Sequence, residues 1–363
     1  MEKNGKRALI GMSGGVDSSA AAAVMVEEGY ECIGATMKLY QNEDVNISRE
    51  SACCSLDDVE DARAVAYRLG IPHYVLNFTE DFSREVIDRF VQAYEEGRTP
   101  NPCIDCNRYI KFERMYHRAM ELECDYVVTG HYARIEYKEE TGRWCLKRAV
   151  NRAKDQSYVL CFLTQEQLAH TKLPLGEFES KDAVRAKAEG YAFVNAAKHD
   201  SQDICFVPEG NYTDFIKRRT GRTYPEGDFV DQEGKVLGRH KGLIRYTIGQ
   251  RKGLGLALPA PLFVCSKDME NNRVILGPSE KLFTRELSCR DFNWISREAP
   301  AVGEKISVTG MPRYRAKEAP AQAWIGEDGL VHVVFDEPQR AITSGQAVVL
   351  YDGDYVVGGG TIL

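Results

Sequence analysis

Short apolar runs alternate with amphipathic stretches along the first half of the chain. The apolar runs have the character of buried strands and lie at 7–12, 31–39, 73–78 and 125–130. The amphipathic stretches have helical spacing and lie at 18–28, 55–69, 80–95 and 108–122. This alternation predicts an α/β domain with a doubly wound parallel sheet. Such sheets bind ligands at the carboxyl ends of their strands, where the segments after Met12, Met37 and Gly130 are expected to meet.

From residue 207 onward the pattern changes to short β-like runs that are broken by Gly and Pro. We therefore predict a small connecting domain followed by a β-barrel or a β-sandwich. At roughly 150 residues per domain, the 363 residues also suggest two or three domains. An apolar content of 43% is sufficient for their cores.

Composition limits the setting in which the protein works. No run of about 18 apolar residues could cross a membrane, and the N-terminal residues enter the first strand without a cleavable signal. We therefore predict a cytoplasmic protein with no membrane partner. Structural disulfides are rare in that compartment, so some of the 11 cysteines are expected to have chemical roles.

The charge distribution leaves room for one basic surface. A net charge of −7 argues against a general nucleic-acid coat. Residues 235–252, however, carry six Lys or Arg and no acidic residue, and they follow the cluster at 217–219. This pattern indicates either a basic binding face or ordinary solvated charge.

The first apolar run leads into Ser-Gly-Gly-Val-Asp-Ser at 13–18, which has the composition of an anion-binding helix start. Glycines let backbone N–H groups approach a ligand, and serine hydroxyls add donors beside the helix dipole. The loop lacks the Lys of a Walker motif, and the second strand ends in Met37-Lys38 instead of the acidic residue of a dinucleotide site. The remaining match is the loop of enzymes that split ATP between its first and second phosphates. An ordinary strand-to-helix turn is the alternative.

A Cys-x-x-Cys pair, Cys103 and Cys106, precedes a predicted helix, and Cys205 follows much later in the chain. A redox pair, half of a zinc site and simple burial are the roles open to such a pair. Zinc is disfavoured because a structural site takes four ligands, usually from a second spaced pair, whereas Cys53 and Cys54 are adjacent. Burial is expected for the cysteines in apolar surroundings, namely Cys32, Cys124, Cys145, Cys161, Cys265 and Cys289.

Collinear motifs then make a family resemblance specific. They are GMSGGVDSS, NPCIDCNRYIKF, TGHYA, KDQSYVL, SQDICF, YTIGQRKGLG and GQAVV. Together they resemble the tRNA-specific 2-thiouridylase family over essentially the full chain. The resemblance implies an adenine-nucleotide alpha hydrolase-like catalytic domain at 1–206, a central connecting domain at 207–284 and a C-terminal β-barrel at 285–363. It also implies ATP-dependent replacement of the 2-oxygen of the wobble uridine by sulfur in glutamate, glutamine and lysine tRNAs.

The resemblance assigns ATP, with Mg²⁺, to the first loop and to two strand ends. The nucleotide-binding set is Gly11, Met12, Ser13, Gly14, Gly15, Val16, Asp17, Ser18, Met37 and Gly130. Asp17 would help to position the magnesium and the phosphates.

The resemblance also assigns contacts with the anticodon arm. The tRNA-contacting set is Asn101, Pro102, Cys103, His131, Lys154, Asp155, Gln156, Arg313, Tyr314 and Gln346. The uridine must be extruded from its stack to react, and the amide of Gln156 suits uracil because it both donates and accepts. A lone histidine after a strand, such as His131, is more often structural than functional.

Sulfur must reach the activated base as a nucleophile, either as a cysteine persulfide or as sulfide held at a metal cluster. The resemblance implies that Cys205 carries the persulfide, loaded by a cysteine desulfurase or a relay protein, and that Cys106 attacks it or forms a disulfide with Cys205. Some family members have Asp, with an acid/base role, at the position of Cys103, so the general acid or base is unassigned here. The three cysteines could instead hold a 4Fe–4S cluster with one iron open to sulfide.

Two other functions compete with thiolation. An ATP pyrophosphatase that forms an amide or amidine on a small metabolite shares the loop, but it needs no paired cysteines and would ignore tRNA. A non-catalytic RNA-binding module would tolerate Asp17→Ala.

Overall fold

The computed structural model describes residues 3–41, 56–198, 204–207, 211–257 and 260–363. Three features named from the sequence lie outside these ranges: the adjacent Cys53 and Cys54, the predicted helix start at residue 55, and residues 201–203 of the SQDICF motif.

The described chain contains strands and helices in an alternating first half and mainly strands thereafter. The strands are β1 (Arg7–Gly11), β2 (Glu31–Lys38), β3 (His73–Asn77), β4 (Tyr126–Val128), β5 (Ala133–Lys138), β6 (Arg143–Arg148), β7 (Thr171–Lys172), β8 (Gly227–Val230), β9 (Val236–His240), β10 (Phe263–Asp268), β11 (Arg273–Gly277), β12 (Phe283–Trp294), β13 (Ile306–Met311), β14 (Ala319–Ile325), β15 (Val331–Arg340), β16 (Ala347–Asp352) and β17 (Tyr355–Ile362).

The helices surround the first sheet. They are α1 (Val16–Glu27), α2 (Leu56–Leu69), α3 (Thr79–Phe82, then π-helical Ser83–Asp88, then Arg89–Glu95), α4 (Pro102–Asp105, then π-helical Cys106–Arg114, then Met115–Glu121), α5 (Gln165–Ala169), α6 (Lys181–Gly190) and α7 (Tyr212–Thr220). Short 3₁₀ turns lie at Arg152–Lys154, Ser157–Leu160, Pro174–Glu177, Leu243–Arg245 and Ser279–Leu282.

A five-stranded parallel sheet organises the first half, in the order β3-β2-β1-β4-β7. Successive residues of β1 point to opposite faces, so Leu9 joins the apolar cluster on one side while Ala8 and Ile10 join the cluster on the other. The doubly wound parallel sheet predicted from the sequence is confirmed. The strand order reverses at β1, so the crevice for a ligand lies where β1 and β4 end.

Helix α4 begins six residues earlier than the predicted start at residue 108. Asn101 caps the helix, because its Oδ1 accepts from the Cys103 backbone N–H at 3.2 Å, and Pro102 fits the first helical position. The predicted start was wrong because apolar spacing does not report a side-chain cap. As a result, Cys103 and Cys106 lie on the helix and not in a loop before it.

The central part of the chain forms a small sheet in the order β10-β11-β8-β9, with its own core that includes Phe229, Val264 and Leu276. Basic residues of this part are in part neutralised: Arg219 pairs with Asp88 at 2.8 Å, and Arg239 pairs with Asp228 at 2.9 Å. The predicted basic stretch is therefore less positive than its sequence indicates.

The C-terminal strands close into a six-stranded antiparallel barrel, β12-β15-β14-β13-β16-β17, through pairing of β12 with β17. The barrel predicted from the sequence is confirmed, and closure removes the two free edges that an open sheet would have. The hairpin β5–β6 from the first half continues this sheet, with Tyr355 of β17 opposite Lys147. Among the described residues, no helix is long and apolar enough to span a membrane.

Candidate active site

The loop between β1 and α1 has a conformation that its sequence demands. Gly14 has a φ of +74°, and a Cβ atom there would stand 2.4 Å from the Asp58 carbonyl oxygen, so only glycine fits. The hydroxyls of Ser18 and Ser19 donate to the Gly15 carbonyl oxygen at 2.9 and 3.1 Å. These two hydroxyls are therefore used within the loop, contrary to the expectation that they would donate to a ligand. The Ser13 N–H is used as well, because it donates to the Ser18 hydroxyl at 3.1 Å.

The amino end of α1 is open to an anion. Gly15 is the N-cap residue, and no side chain caps the helix. The N–H groups of a first helical turn have no partner within the helix, and the helix dipole adds partial positive charge there. Ser13, Gly15, Val16 and Asp17 line a cavity of about 720 Å³. This volume is typical of a cofactor-sized ligand, and a helix start is a ready phosphate site.

Asp17 is held by two side chains that the sequence analysis missed. Lys181 Nζ donates to both carboxylate oxygens at 2.7 Å, and the Tyr132 hydroxyl donates to Oδ1 at 2.5 Å. Lys181 is the first residue of α6, where the helix dipole makes a cation unfavourable. A lysine directly after the N-cap Ser180 is therefore a sequence signal for a carboxylate partner elsewhere in the fold.

Asn195 is a second residue that the sequence analysis missed. It is 3% exposed, and its Nδ2 donates to the Gly14 carbonyl oxygen and to the Ser19 hydroxyl, both at 2.9 Å. One buried amide thus fixes the loop to the first turn of α1. No local sequence pattern marks this residue, because its hydrogen-bond partners lie far from it along the chain.

The remaining residues of the predicted nucleotide-binding set lie around the loop. Gly130 follows β4, and a Cβ atom there would come within 2.8 Å of the Asp17 carbonyl carbon, so this strand end packs directly on α1. Gly11 and Met12 are buried beneath the loop. Met37 is half-buried at the end of β2 and packs against the apolar cluster under the sheet.

The segment 154–156 forms the opposite wall of the cavity. Gln156 Oε1 accepts from the Tyr132 N–H at 2.9 Å, so the side-chain amide nitrogen is the group left for a ligand. Asp155 accepts from Ala149 N–H and from the Ser157 hydroxyl, both at 2.8 Å, and burial raises its pKa. Lys154, Asp155 and Gln156 all line the cavity. The carboxylate of Asp155 is engaged in hydrogen bonds within the protein, so its role is to hold this wall in shape.

Cys103, predicted to contact tRNA or to hold a cluster, is exposed and lines the cavity, whereas the predicted reactive residues Cys106 and Cys205 are not among the residues that line it. Both pack against the same large apolar cluster, and the Tyr40 hydroxyl donates to the Cys205 carbonyl oxygen at 2.8 Å. Burial raises the pKa of the Cys106 thiol to about 11, although Lys111 opposes the shift. Burial also raises the pKa of the neighbouring Asp105 carboxyl to about 6.

The other cysteines were expected to be buried. Cys32, Cys124, Cys145, Cys161 and Cys289 are buried, as predicted, whereas Cys265 is only half-buried in β10.

The predicted tRNA-contacting residues divide into cavity residues and internal ones. Tyr314 is 37% exposed, lines the cavity and lies 5.6 Å from the Tyr158 ring. Arg313 is exposed beside it. Gln346 instead donates to the Thr99 carbonyl oxygen at 2.7 Å.

Two further members of that set are internal. His131 is 8% exposed, bonds Thr129 Oγ1 through Nδ1 at 2.8 Å and has its pKa lowered by burial. Pro102 is buried in the first turn of α4, and the side chain of Asn101 is used as its cap.

The described residues do not form a ready metal-cluster site. Within those ranges, no three His, Cys, Asp or Glu side chains stand close enough to hold one metal ion. The set Cys103, Cys106 and Cys205 thus does not fit a cluster in this arrangement.

Three family models match consecutive parts of the chain. Residues 6–209 match a model described as the tRNA methyl transferase HUP domain, residues 213–278 match the tRNA methyl transferase PRC-barrel domain, and residues 284–362 match the aminomethyltransferase beta-barrel domain. The first model alone covers more than half of the chain.

Curated relatives match the chain from end to end. The tRNA-specific 2-thiouridylase MnmA of Clostridioides difficile is 53% identical over 360 residues, which is 98% of each chain. The protein of the same name from Acetivibrio thermocellus is 51% identical over 358 residues, covering 98% of this chain and 99% of its own. The relatives' names state thiolation where the model descriptions state methyl transfer, and full-length identity at this level makes the relatives the more specific guide.

Similarity to solved structures is weaker. An NMN synthetase from Francisella tularensis is 16% identical, covers 61% of this chain and 79% of its own, and has a TM-score of 0.34. A 4-thiouridine synthetase in complex with RNA and ATP is 17% identical, covers 60% and 51%, and also has a TM-score of 0.34. Neither likeness is close enough to support an argument.

Proposed function

The chain belongs to the tRNA-specific 2-thiouridylase family, and on this premise we propose that it uses ATP to replace the 2-oxygen of the wobble uridine by sulfur in glutamate, glutamine and lysine tRNAs. One observation carries the proposal: the uncapped start of α1 opens into the same cavity of about 720 Å³ as Cys103, Gln156 and Tyr314. A phosphate site, a sulfur-bearing helix and an amide donor thus share one space.

ATP fits the loop on structural grounds. The left-handed Gly14, the close approach of Gly130 and the absence of a capping side chain leave backbone N–H groups of the first turn of α1 open to a phosphate. The ribose and adenine would then lie along the ends of β1, β2 and β4, where Met37 and Gly130 are found.

The site accommodates Mg²⁺ less directly than it accommodates ATP. Asp17 is the carboxylate of the loop, and carboxylate oxygens are ligands that Mg²⁺ prefers. Lys181 already bonds both of its oxygens, so Asp17 can hold the ion only if the ammonium group shares the carboxylate or moves to the phosphates. Bound Mg²⁺ would neutralise phosphate charge as pyrophosphate leaves.

The first chemical step makes the uracil oxygen a leaving group. The 2-oxygen attacks the α-phosphorus of ATP, the bond to the β-phosphate breaks, and pyrophosphate departs with its electron pair. Gln156 would hold the extruded base by donating from its amide nitrogen to a uracil oxygen, since Tyr132 already occupies the amide oxygen. Tyr314 offers a ring on which a base can stack.

The second step transfers sulfur. The terminal sulfur of a persulfide on Cys205 attacks C2 of the uracil, and AMP leaves. Cys106 then attacks Sγ of Cys205, which frees the thiolated base and leaves a Cys106–Cys205 disulfide for reduction by an external thiol. A cysteine desulfurase or relay protein would load Cys205. The high pKa of Cys106 means that bound substrate or a local movement must first favour its thiolate.

Cluster-bound sulfide is the alternative sulfur source. It would need Cys205 to join Cys103 and Cys106, which the described arrangement does not provide.

We also propose domain boundaries at 1–206, 207–284 and 285–363, with the barrel and the first unit sharing the tRNA.

The test is tRNA-stimulated pyrophosphate release combined with mass spectrometry of the wobble nucleoside. With a persulfide donor, the wild-type chain should form 2-thiouridine, whereas Cys205→Ser and Cys106→Ser should form none. Cys265→Ser, a half-buried cysteine in the central sheet, is the matched control and should retain activity.

Three results would contradict the proposal. Pyrophosphate release that ignores tRNA and responds to a small metabolite would indicate the amide- or amidine-forming class. Thiolation by both serine variants would remove the persulfide route, and anaerobic protein with about four irons per chain would favour the cluster.

A further inference from the structure

A second cavity, lined by four arginines, lies on the other side of α4. Its volume is about 220 Å³, and its wall comes from α3, the segment before α4, α4 itself and the barrel strands β12, β16 and β17. We call it the arginine cavity after its guanidinium groups, which belong to Arg89, Arg98, Arg108 and Arg290.

Hydrogen bonds between the first half of the chain and the barrel hold the walls of this cavity in place. The Thr99 N–H donates to the Ser344 carbonyl oxygen at 2.9 Å, and Gln346 Nε2 donates to the Thr99 carbonyl oxygen at 2.7 Å. Gly345 lies against the same segment, where a Cβ atom would come within 3.0 Å of Arg98 Cβ. Three of the arginines belong to the first half of the chain and Arg290 belongs to the barrel, and these two parts are held together without a ligand.

The cavity is net positive. Four guanidinium groups face two carboxylates among its lining residues, those of Asp105 and Asp291. Arg89 Nε is 3.8 Å from Asp105 Oδ1, and Arg290 Nε is 3.9 Å from the exposed Asp291 Oδ2. Both separations are at the outer limit of an ion pair, so the carboxylates do not use the arginines' full hydrogen-bonding capacity.

Arg98 and Arg108 differ in their partners. Arg98 pairs with Glu96. Arg108 has no carboxylate within ion-pair distance in the part of the chain that the structure describes. Its Cζ lies 5.0 Å from the Tyr109 ring centroid and 4.7 Å from that of Phe162. Stacking covers guanidinium faces, whereas the N–H donors lie in the plane and match the oxygens of a phosphate.

The size and position of the arginine cavity indicate what it binds. At about 220 Å³ it is smaller than the roughly 300 Å³ at which small-molecule sites begin, so it suits one group of a larger ligand. The first turn of α4 separates the two cavities: Cys103 faces the large one, while Ile104 and Asp105 face the arginine cavity. An RNA strand that places a base in the large cavity can therefore place a neighbouring phosphate in the arginine cavity.

We propose that the arginine cavity binds a backbone phosphate of the substrate tRNA, next to the extruded nucleotide of the anticodon loop. The proposal rests on the proposed function. It adds a contact that fixes the register of the loop and so determines which base enters the active-site cavity, because phosphate contacts position a nucleic acid without reading its sequence.

The experiment measures binding of a wobble-uridine anticodon stem–loop RNA to the full chain at several salt concentrations. Arg290→Gln and Arg108→Gln should each weaken binding by about ten-fold and reduce the slope of log affinity against log salt by about 0.7. Arg285→Gln, which removes an exposed charge from the same strand as Arg290, is the matched control and should change neither value. Arg290 is half-exposed, so its variant is expected to fold even if the Arg108 variant does not.

A second arm identifies the ligand. Stem–loops with a single methylphosphonate should lose affinity for the wild-type chain at one linkage beside the wobble nucleotide, and Arg290→Gln should remove that loss. Equal effects of Arg285→Gln and Arg290→Gln would overturn the proposal, as would a methylphosphonate effect that persists unchanged in Arg290→Gln. If the wild-type chain neither binds nor thiolates the RNA, the proposed function itself fails; if it does both and the arginine variants match it, only this inference fails.

Discussion

Replacing Gly14 by alanine tests whether the anion-binding loop depends on the backbone geometry found here. The left-handed conformation of Gly14 costs a residue with a Cβ atom about 1–2 kcal/mol. The new Cβ atom would also lie 2.4 Å from the Asp58 carbonyl oxygen and 2.8 Å from the Asp58 Cα, and such backbone atoms can move only with α2. Overpacking of this kind costs about 1–3 kcal/mol.

Gly70→Ala separates the two costs. Gly70 has a φ of +68°, close to that of Gly14, but a Cβ atom at this position would have no neighbouring atom within 4 Å among the described residues. Both variants share the conformational cost and the entropy lost from the unfolded chain, so these contributions cancel in the comparison. The difference between the two free energies of unfolding should therefore be the steric cost at Asp58, about 1–3 kcal/mol.

Urea unfolding of the two variants and ATP binding by calorimetry are the assays. Gly14→Ala should unfold at lower urea than Gly70→Ala and should bind ATP at least about ten-fold more weakly, because a shift of the loop moves its N–H groups away from the phosphates. Gly70→Ala should bind ATP as the wild type does. Equal stabilities together with equal ATP affinities would refute the geometry assigned to the loop.

Three further outcomes follow from the site. Asp17→Asn should reduce tRNA-dependent pyrophosphate release by at least about a hundred-fold while circular dichroism stays unchanged, because the variant keeps a hydrogen-bond acceptor for Tyr132 but not the charge opposite Lys181; retained activity would favour a non-catalytic role. Alkylation of Cys106, followed by peptide mass spectrometry, should accelerate about ten-fold per pH unit from 7 up to its pKa of about 11, since only the thiolate reacts; a plateau below pH 9 would contradict the burial of this thiol. Gln156→Glu keeps the oxygen that accepts from Tyr132 but loses the amide donor, so tRNA-stimulated turnover should fall while the melting temperature stays within about 2 °C of the wild type.

The parts of the fold that could be predicted are encoded mainly by residues close together in the sequence. The loop at 13–18 is specified by residues adjacent in sequence, since the left-handed Gly14 and the serine hydroxyls act within one turn. The alternation of apolar runs and helical stretches likewise predicts the parallel sheet, because the central strands β1, β2 and β4 are largely buried on both faces.

Contacts between distant segments explain what the sequence did not reveal. The hairpin β5–β6 has the pattern of any amphipathic hairpin, and its attachment to the barrel depends on β17, which is more than 200 residues away. Lys181 and Asn195 act on the first loop from comparable distances. The π-helical parts of α3 and α4 also have no counterpart in a spacing rule based on 3.6 residues per turn.

In the proposed mechanism, the packing around Cys205 restricts how its sulfur can reach the base. The adjacent Phe206 is 1% exposed and lies 5.3–5.7 Å from three aromatic rings, those of Phe82, Phe90 and Phe215. Withdrawing such a side chain from its cluster would cost about 3–5 kcal/mol, the range found when a buried phenylalanine is removed.

The first turn of α4 is bound less firmly. Its Asn101 cap is a single hydrogen bond of 3.2 Å, and Cys103 on this turn is exposed to the cavity. Loss of such a cap costs only about 1 kcal/mol. Opening the cap is therefore cheaper than withdrawing Phe206, whereas moving the whole turn would also displace Ile104, which is 6% exposed and packs in the large apolar cluster. Binding of RNA beside α4, on either of its two cavities, is the event best placed to drive opening of the cap, because it contacts this turn directly and leaves the Phe206 cluster intact.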